Sequence, residues 1–179
     1  MNKCVAFLRG INVSGHHTLP MARLKEEMIS LGYQNPITIL NSGNVIFEAE
    51  ESSTTKIESQ LASHLESVFQ FPVPTIVKSI STIESLLGAD PFDGIEVTKD
   101  TRLYISFLMT DPNPDLPIPW ESEDGSYRIL SSMENCILSV LDLSKSQTPK
   151  AMEILEKKYG KNITTRNWNT LLRIEKKLS

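Results

Sequence analysis

"PITILNSGNVIFEA", residues 36–49, holds two short β-rich runs on either side of Asn41-Ser42-Gly43-Asn44. That pattern is a hairpin signal, because Gly43 takes the positive backbone angles a tight turn needs. Working outward, "KCVAFLRGINV" (3–13) reads as a buried strand running into a loop. Pro20 then stands in the first turn of a helix, followed by Met21, Leu24, Met28 and Leu31 at helical spacing, and Gly32 ends the run. Beyond the hairpin, Ser52 to Gln70 reads as a second helix with Ile57, Leu61, Leu65, Val68 and Phe69 on one face, and "VPTIVKS" (73–79) as a fourth strand. Ser81 and Glu84 have capping-box spacing at the head of a further short helix. The first six elements run β-α-β-β-α-β, the ferredoxin-like split order.

The second half repeats this with one change. "TRLYISFLM" (101–109) is a strong strand, and residues 110–125 carry Pro112, Pro114, Pro117 and Pro119, which bars a helix interior or central strand. "SYRILSS" (126–132) and "NCILSVLD" (135–142) form a second hairpin about Met133-Glu134. A helix is expected from Thr148-Pro149 to near Gly160, with Met152, Leu155 and Tyr159 inward. A last helix is expected from about Thr165, capped by Thr164 or Thr165, with Trp168, Leu171 and Leu172 inward. The expected fold is therefore α+β: two ferredoxin-like halves, antiparallel sheets packed on helices. They span 1–88 and 101–179, with 89–100 as connector and 110–125 as a Pro-rich loop.

Composition limits the function classes. With 179 residues, 40% hydrophobic and 22% charged, the chain is an ordinary globular protein that needs no disulfide or metal to fold. No apolar run reaches the ~18 residues that cross a bilayer, and the N-terminus has no signal-peptide pattern. Cys4 and Cys136 each sit in an apolar run without a Cys or His at ligand spacing, so both read as buried reduced thiols and the expected setting is the cytosol. The net charge of −4 is uneven: residues 150–179 hold eight Lys/Arg against three Glu, a net of +5, which leaves −9 on the other 149. That asymmetry fits either an anion-binding face or a solvated helical one.

Three polar stretches stand at element ends. In "LRGINVSGHHTLP" (8–20) a strand runs into Arg9, Gly10, Asn12 and Ser14-Gly15 before a helix, where backbone amides and an arginine suit an anion. It matches neither a dinucleotide fingerprint nor a P-loop. Asn41, Ser42 and Asn44 at the hairpin tip are ordinary turn residues or a polar rim beside that loop. In "ITTRNWNTLLRI" (163–174), Trp168 fits an inward stripe, whereas Arg166, Asn167 and Asn169 need another reason. Adjacent His16 and His17, with His64 far off, lack metal spacing, and no nucleophile stands beside them. No metal or cofactor is expected from the pattern, and it names no catalytic residue.

"LRGINV", "NSGNVIF" and "TTRNWNT" together resemble the DUF1697 family of small bacterial proteins, over essentially the whole chain from Leu8 to the last helix. The resemblance implies an α+β fold of two ferredoxin-like halves. It marks Arg9, Gly10, Asn12, Ser42, Gly43, Asn44, Thr165, Arg166, Asn167 and Thr170 as motif positions, and it implies no reaction, substrate or cofactor. After the first motif the family often has Gly-Gly or Gly-Lys; here Ser14-Gly15-His16-His17 lacks the lysine.

The leading expectation is a cytosolic protein that binds a small anionic or nucleotide-like ligand in one polar pocket. Arg9 and Arg166 would be charge partners; Gly10, Asn12, Asn41, Ser42, Asn44, Thr165, Asn167 and Asn169 would be polar readers. A nucleic-acid module is the runner-up, weakened by the missing RNP1 pattern and the acidic balance. An interaction protein docking through the Pro-rich loop and Trp120 is the third. No membrane association is expected, and an enzymatic reading has no nucleophile–base pair to rest on.

Overall fold

The computed structural model describes residues 1–146 and 153–179. Thr148, Pro149 and Met152, expected to begin a helix, lie outside the described residues. The chain is α+β, with two antiparallel sheets and, among the described residues, five helices. It divides into two units after Ile83.

In the first unit the elements are β1 (Asn2–Leu8), α1 (Met21–Ser30), β2 (Gln34–Ile39), β3 (Asn44–Ala49), α2 (Thr54–Phe69) and β4 (Thr75–Ser79). The sheet order is β2-β3-β1-β4, every pair antiparallel, with Val5 opposite Ile46 and Ala6 opposite Val77. β1 and β3 are buried almost throughout, which is why their sequences are continuous apolar runs and not alternating ones. Ala6, Leu8, Val45 and Phe47 pack with Leu24 and Met28 of α1 and Ile57, Leu61 and Leu65 of α2. The helical spacing read in the sequence is this stripe.

The helix ends differ in detail from the reading. Pro20 is the N-cap of α1 and not its first turn; lacking a side-chain acceptor, it makes no capping bond. Ser53 caps α2 by accepting from Lys56 N, and Gln70 closes that helix in the left-handed conformation. α3 (Ile80–Gly88), within which the two units divide, begins before Ser81. Ser79 Oγ accepts from Thr82 N at 3.1 Å, so Ser79 supplies the cap expected from Ser81.

The second unit continues with β5 (Thr101–Leu108), β6 (Trp120–Glu121), β7 (Tyr127–Met133), β8 (Cys136–Asp142), α4 (Glu153–Tyr159), β9 (Ile163–Asn167) and α5 (Trp168–Leu178). Its sheet order is β6-β7-β8-β5-β9, again antiparallel. Glu134 and Asn135, both with positive φ, form the β7–β8 turn, the requirement of a tight two-residue hairpin. Its core gathers Leu108, Leu116, Tyr127, Ile129, Ile137, Leu141, Leu155, Tyr159 and Ile163. Two elements depart from the reading. β6 arises inside the Pro-rich stretch, at the sheet edge where a short strand after proline is tolerated. Thr165–Asn167, expected to open the last helix, belong instead to strand β9, with Ser106 opposite Thr165 and their hydroxyls 2.7 Å apart.

The two sheets share more than their direction. Leaving out β6, the second is ordered β7-β8-β5-β9, which matches β2-β3-β1-β4 position for position. Leu8 N donates to Gly43 O and Arg9 N to Pro74 O; in the second unit Leu108 N donates to Asn135 O and Met109 N to Asn162 O. Arg9 and Met109 thus occupy the same backbone station in the two units.

Candidate functional site

In the first unit three segments meet where β1 ends. β1 delivers Arg9, whose N–H is bonded to Pro74 O at 2.8 Å, so the chain before β4 lies against it. Asn12 organises the loop between β1 and α1. Its Nδ2 donates to Leu19 O at 3.0 Å and to Asn41 O at 2.8 Å, and its Oδ1 accepts from Leu19 N at 2.8 Å. One side chain therefore closes the 12–19 loop and ties it to the hairpin tip. Asn44 fixes the tip itself: fully buried, it donates to Ile39 O at 2.8 Å and Ser42 Oγ at 2.9 Å. Gly43, at φ +77°, is pressed so close that a Cβ would meet Ile11 Cδ1 at 2.7 Å and Leu8 Cβ at 2.8 Å.

The structure therefore brings Arg9, Gly10, Asn12, Asn41, Ser42 and Asn44 together in one unit. It also separates their tasks. The amides of Asn12 and Asn44, expected to read a ligand, are engaged with the backbone. Arg9 is half-buried, and Gly10, Asn41 and Ser42 are exposed. His17 was legible only as an unpaired histidine, yet it belongs here. Its ring is stacked on Phe71, centroids 4.5 Å apart and 11° from parallel, and its Nδ1 lies 3.1 Å from Gly10 O. Nothing periodic links His17 to Phe71, so no residue pattern announces the pair.

Thr165, Arg166, Asn167 and Asn169 belong to the second unit. Neither Thr164 nor Thr165 caps the last helix: Asn167 is the N-cap of α5, its Oδ1 accepting from Asn169 N at 3.0 Å. That accounts for two asparagines in a stretch where helix propensity disfavours them. Trp168 is buried, as its spacing suggested, with Phe92 edge-on at 5.1 Å. Leu172, expected inward, is 43% exposed. Arg166, expected to be an accessible charge partner, is only 9% exposed. It donates to Thr164 Oγ1 at 2.9 Å and Thr165 O at 3.0 Å, and burial pulls its pKa down to about 10. It remains a cation at neutral pH, held among β-strand neighbours.

The second unit also has a cavity of about 570 Å³ walled by Trp120, Tyr127 and Ile154 and rimmed by Glu123, Glu153 and Lys157. Lys157 pairs with Glu153 at 3.8 Å, and Asp124 at the same rim is taken up by Ser122 and Ser126. The phenol of Tyr127 is pushed up to about 12, first by burial. Among the described residues, buried Tyr127 Oη and Ser139 Oγ make no hydrogen bond of full geometry, and a weaker contact between the two offsets part of that rise. A second cleft, about 510 Å³, is lined by Glu96, Asp100, Glu121 and Asp142 against Arg128 and Lys145. Among the described residues no cluster of three His, Cys, Asp or Glu is placed to hold a metal, and no helix is long and apolar enough to cross a membrane. Cys4 and Cys136 are buried and in no disulfide, and burial pushes the Cys4 thiol above its ordinary range.

Fold and loop geometry define an α+β protein of two antiparallel sheets with a polar loop end on the first. The chain belongs to the DUF1697 family, described as "Protein of unknown function (DUF1697)", whose model matches residues 1–136. The matched stretch contains "LRGINV" and "NSGNVIF"; "TTRNWNT" lies beyond it. In structure the chain is similar to the conserved bacterial protein SP0830 from Streptococcus pneumoniae, with a TM-score of 0.73 and 23% identity over 99% of each chain. At that identity the likeness carries the fold alone. No match was found among curated proteins.

Proposed function

We propose that this protein binds a small anionic or nucleotide-like ligand at the loop end of its first unit. One observation supports the reading above the rest. The three segments that meet there (8–20, 39–44 and 70–75) carry Arg9, His16 and His17 and not one Asp or Glu, in a chain whose net charge is −4. Local charge of one sign raises the concentration of oppositely charged ligands. Gly10, Asn12, Ser14, Gly15 and His17 all have positive φ, and such turns present backbone N–H groups as anion-binding concavities. Arg9 is the charge partner in this reading, with Gly10, Asn41 and Ser42 at the mouth and Asn12 and Asn44 holding its shape. Thr165, Arg166, Asn167 and Asn169 have structural engagements in the second unit and are left out of the site.

The shared strand order supports two ferredoxin-like units built on one plan, the second with β6 added. Two buried cysteines outside any disulfide support a reducing, cytosolic setting.

The test is calorimetric titration of the protein with inorganic phosphate and nucleoside monophosphates. Binding is expected to weaken at least about tenfold, 1.4 kcal/mol, in Arg9→Gln. Unchanged binding in that variant, or none by any of these anions, contradicts the reading. Single-stranded RNA is expected to bind weakly at ~150 mM salt, where counterion release no longer helps much. Sub-micromolar RNA affinity there would favour a nucleic-acid module instead.

A further inference from the structure

We infer that His17 is a second, proton-dependent cation of the first unit's anion site; this rests on the ligand-binding reading just proposed. The Gly10 carbonyl can only accept, so the 3.1 Å contact requires a proton on His17 Nδ1. The neutral ring then keeps its lone pair on Nε2, and protonation adds a donor at that atom and a positive charge shared over the ring. The ring is not free to turn away. It lies flat on Phe71 at 4.5 Å, and its own backbone carbonyl accepts from Asn12 N at 3.1 Å. An exposed histidine held by three contacts has already lost the rotamer freedom that ligand binding would otherwise cost.

The three segments that meet here supply no carboxylate to oppose the added charge. In its own loop the titratable or charged groups are Arg9 and His16. The hairpin tip, 39–44, has none, and the 70–75 segment packed against the ring offers only Phe71 and uncharged residues. With no carboxylate in these segments, a proton on Nε2 is available to an incoming anion. Histidine is the side chain that gains a charge on mild acidification, so anion affinity is expected to rise as the ring takes up a proton.

Sulfate is the suitable probe, because it stays a dianion throughout. Its affinity is measured by NMR titration from pH 8 to pH 5.5 for the wild type, His16→Gln and His17→Gln. The expected result is a rise of about fivefold, the scale of one exposed ion pair, in the wild type and in His16→Gln, and a flat profile in His17→Gln. A rise in His17→Gln equal to the wild type overturns the role of His17 while leaving the anion site standing. No sulfate binding at any pH overturns both. The ¹⁵N shifts of the wild-type ring give a check that needs no variant: a neutral ring protonated at Nδ1 supports the inference, and one protonated at Nε2 overturns it.

Discussion

In the first unit the ten residues Met21–Ser30 carry the chain from β1 to β2 as a helix; in the second, the passage from β5 to β7 holds four prolines and the two-residue β6. A helix packs on the sheet by its own stripe, so the loop before it, 9–19, has no apolar duty beyond Ile11 and Leu19 and folds as a polar turn. The proline passage cannot form helix and covers the core directly. Leu116 is buried in it, Ile118 and Trp120 pack against it, and Asn113 N donates to Tyr159 Oη at 2.9 Å. The stations after β1 and β5 have the same two backbone bonds, yet one carries Arg9 and the other Met109. The segments 8–20, 39–44 and 70–75 around the first contain no Asp or Glu; Asp111, Asp115 and Glu134 stand in the segments around the second. A common backbone plan thus carries different side-chain chemistry, and the anion site proposed above is placed at the first end on that difference.

The largest expected effect is Gly43→Ala in the first unit. A Cβ there meets side-chain carbons under 3.0 Å and sits at φ +77°, two effects worth about 1–3 kcal/mol each. Gly125→Ala, its comparison in the second unit, also has positive φ, but its nearest neighbour is the flexible Glu121 Oε1 at 3.1 Å. It should cost about 1 kcal/mol, the backbone part alone. Urea denaturation of both variants checks the difference, and equal losses would mean the tip is not pressed on β1. Next is Arg166→Ala. Loss of hydrogen bonds from a buried cation is expected to cost about 1.5–3 kcal/mol; a change within about 0.5 kcal/mol, the usual limit for a surface site, would mean that the arginine is accessible after all.

Tyr127 gives a smaller effect with a defined sign. Its folded pKa, about 12, lies above the ordinary value of 10, so the stability this implies is present below pH 10 and is lost as pH rises toward 12. Arg166, with its pKa pulled down to about 10, acts in the opposite sense, so the informative quantity is the difference between wild type and Tyr127→Phe. That variant removes a hydroxyl whose one contact, with Ser139, falls short of full hydrogen-bond geometry, and should be near neutral at pH 7. By pH 11 the wild type is expected to lose about 1.4 kcal/mol relative to it. A constant difference from pH 8 to pH 11 would show that this phenol ionises normally. Smallest are the caps. Asn167→Ala, removing a 3.0 Å bond at the head of α5, should cost about 1 kcal/mol, and Ser53→Ala, with a 3.4 Å bond at α2, about half that. Thermal melts rank the two.

Much of this comparison was legible in the residues. Helical spacing from Met21 to Met28 and from Ile57 to Leu65, and the Asn-Ser-Gly-Asn tip, placed the first unit's elements, because each buries a stripe or makes a turn by local rules. "ITTRN" was misread. Threonine before an apolar stripe is a good cap, but β-branched residues also fill strands, and the choice was made by Ser106 and Ile105 about 60 positions away. Asn12 and Asn44 were recognised as important for a reason their contacts reverse: an amide can hold a loop as readily as a ligand. The His17–Phe71 stack joins residues 54 positions apart with no periodicity to announce it.

The contrast between the two ends is tested most directly by titrating ¹⁵N-labelled protein with inorganic phosphate and mapping amide shifts. The account predicts saturable changes at Arg9, Gly10, His17, Asn41 and Ser42, and none at Met109, Glu134 or the Trp120–Tyr127 cavity. Changes confined to the second unit, or no saturable change anywhere, would contradict it.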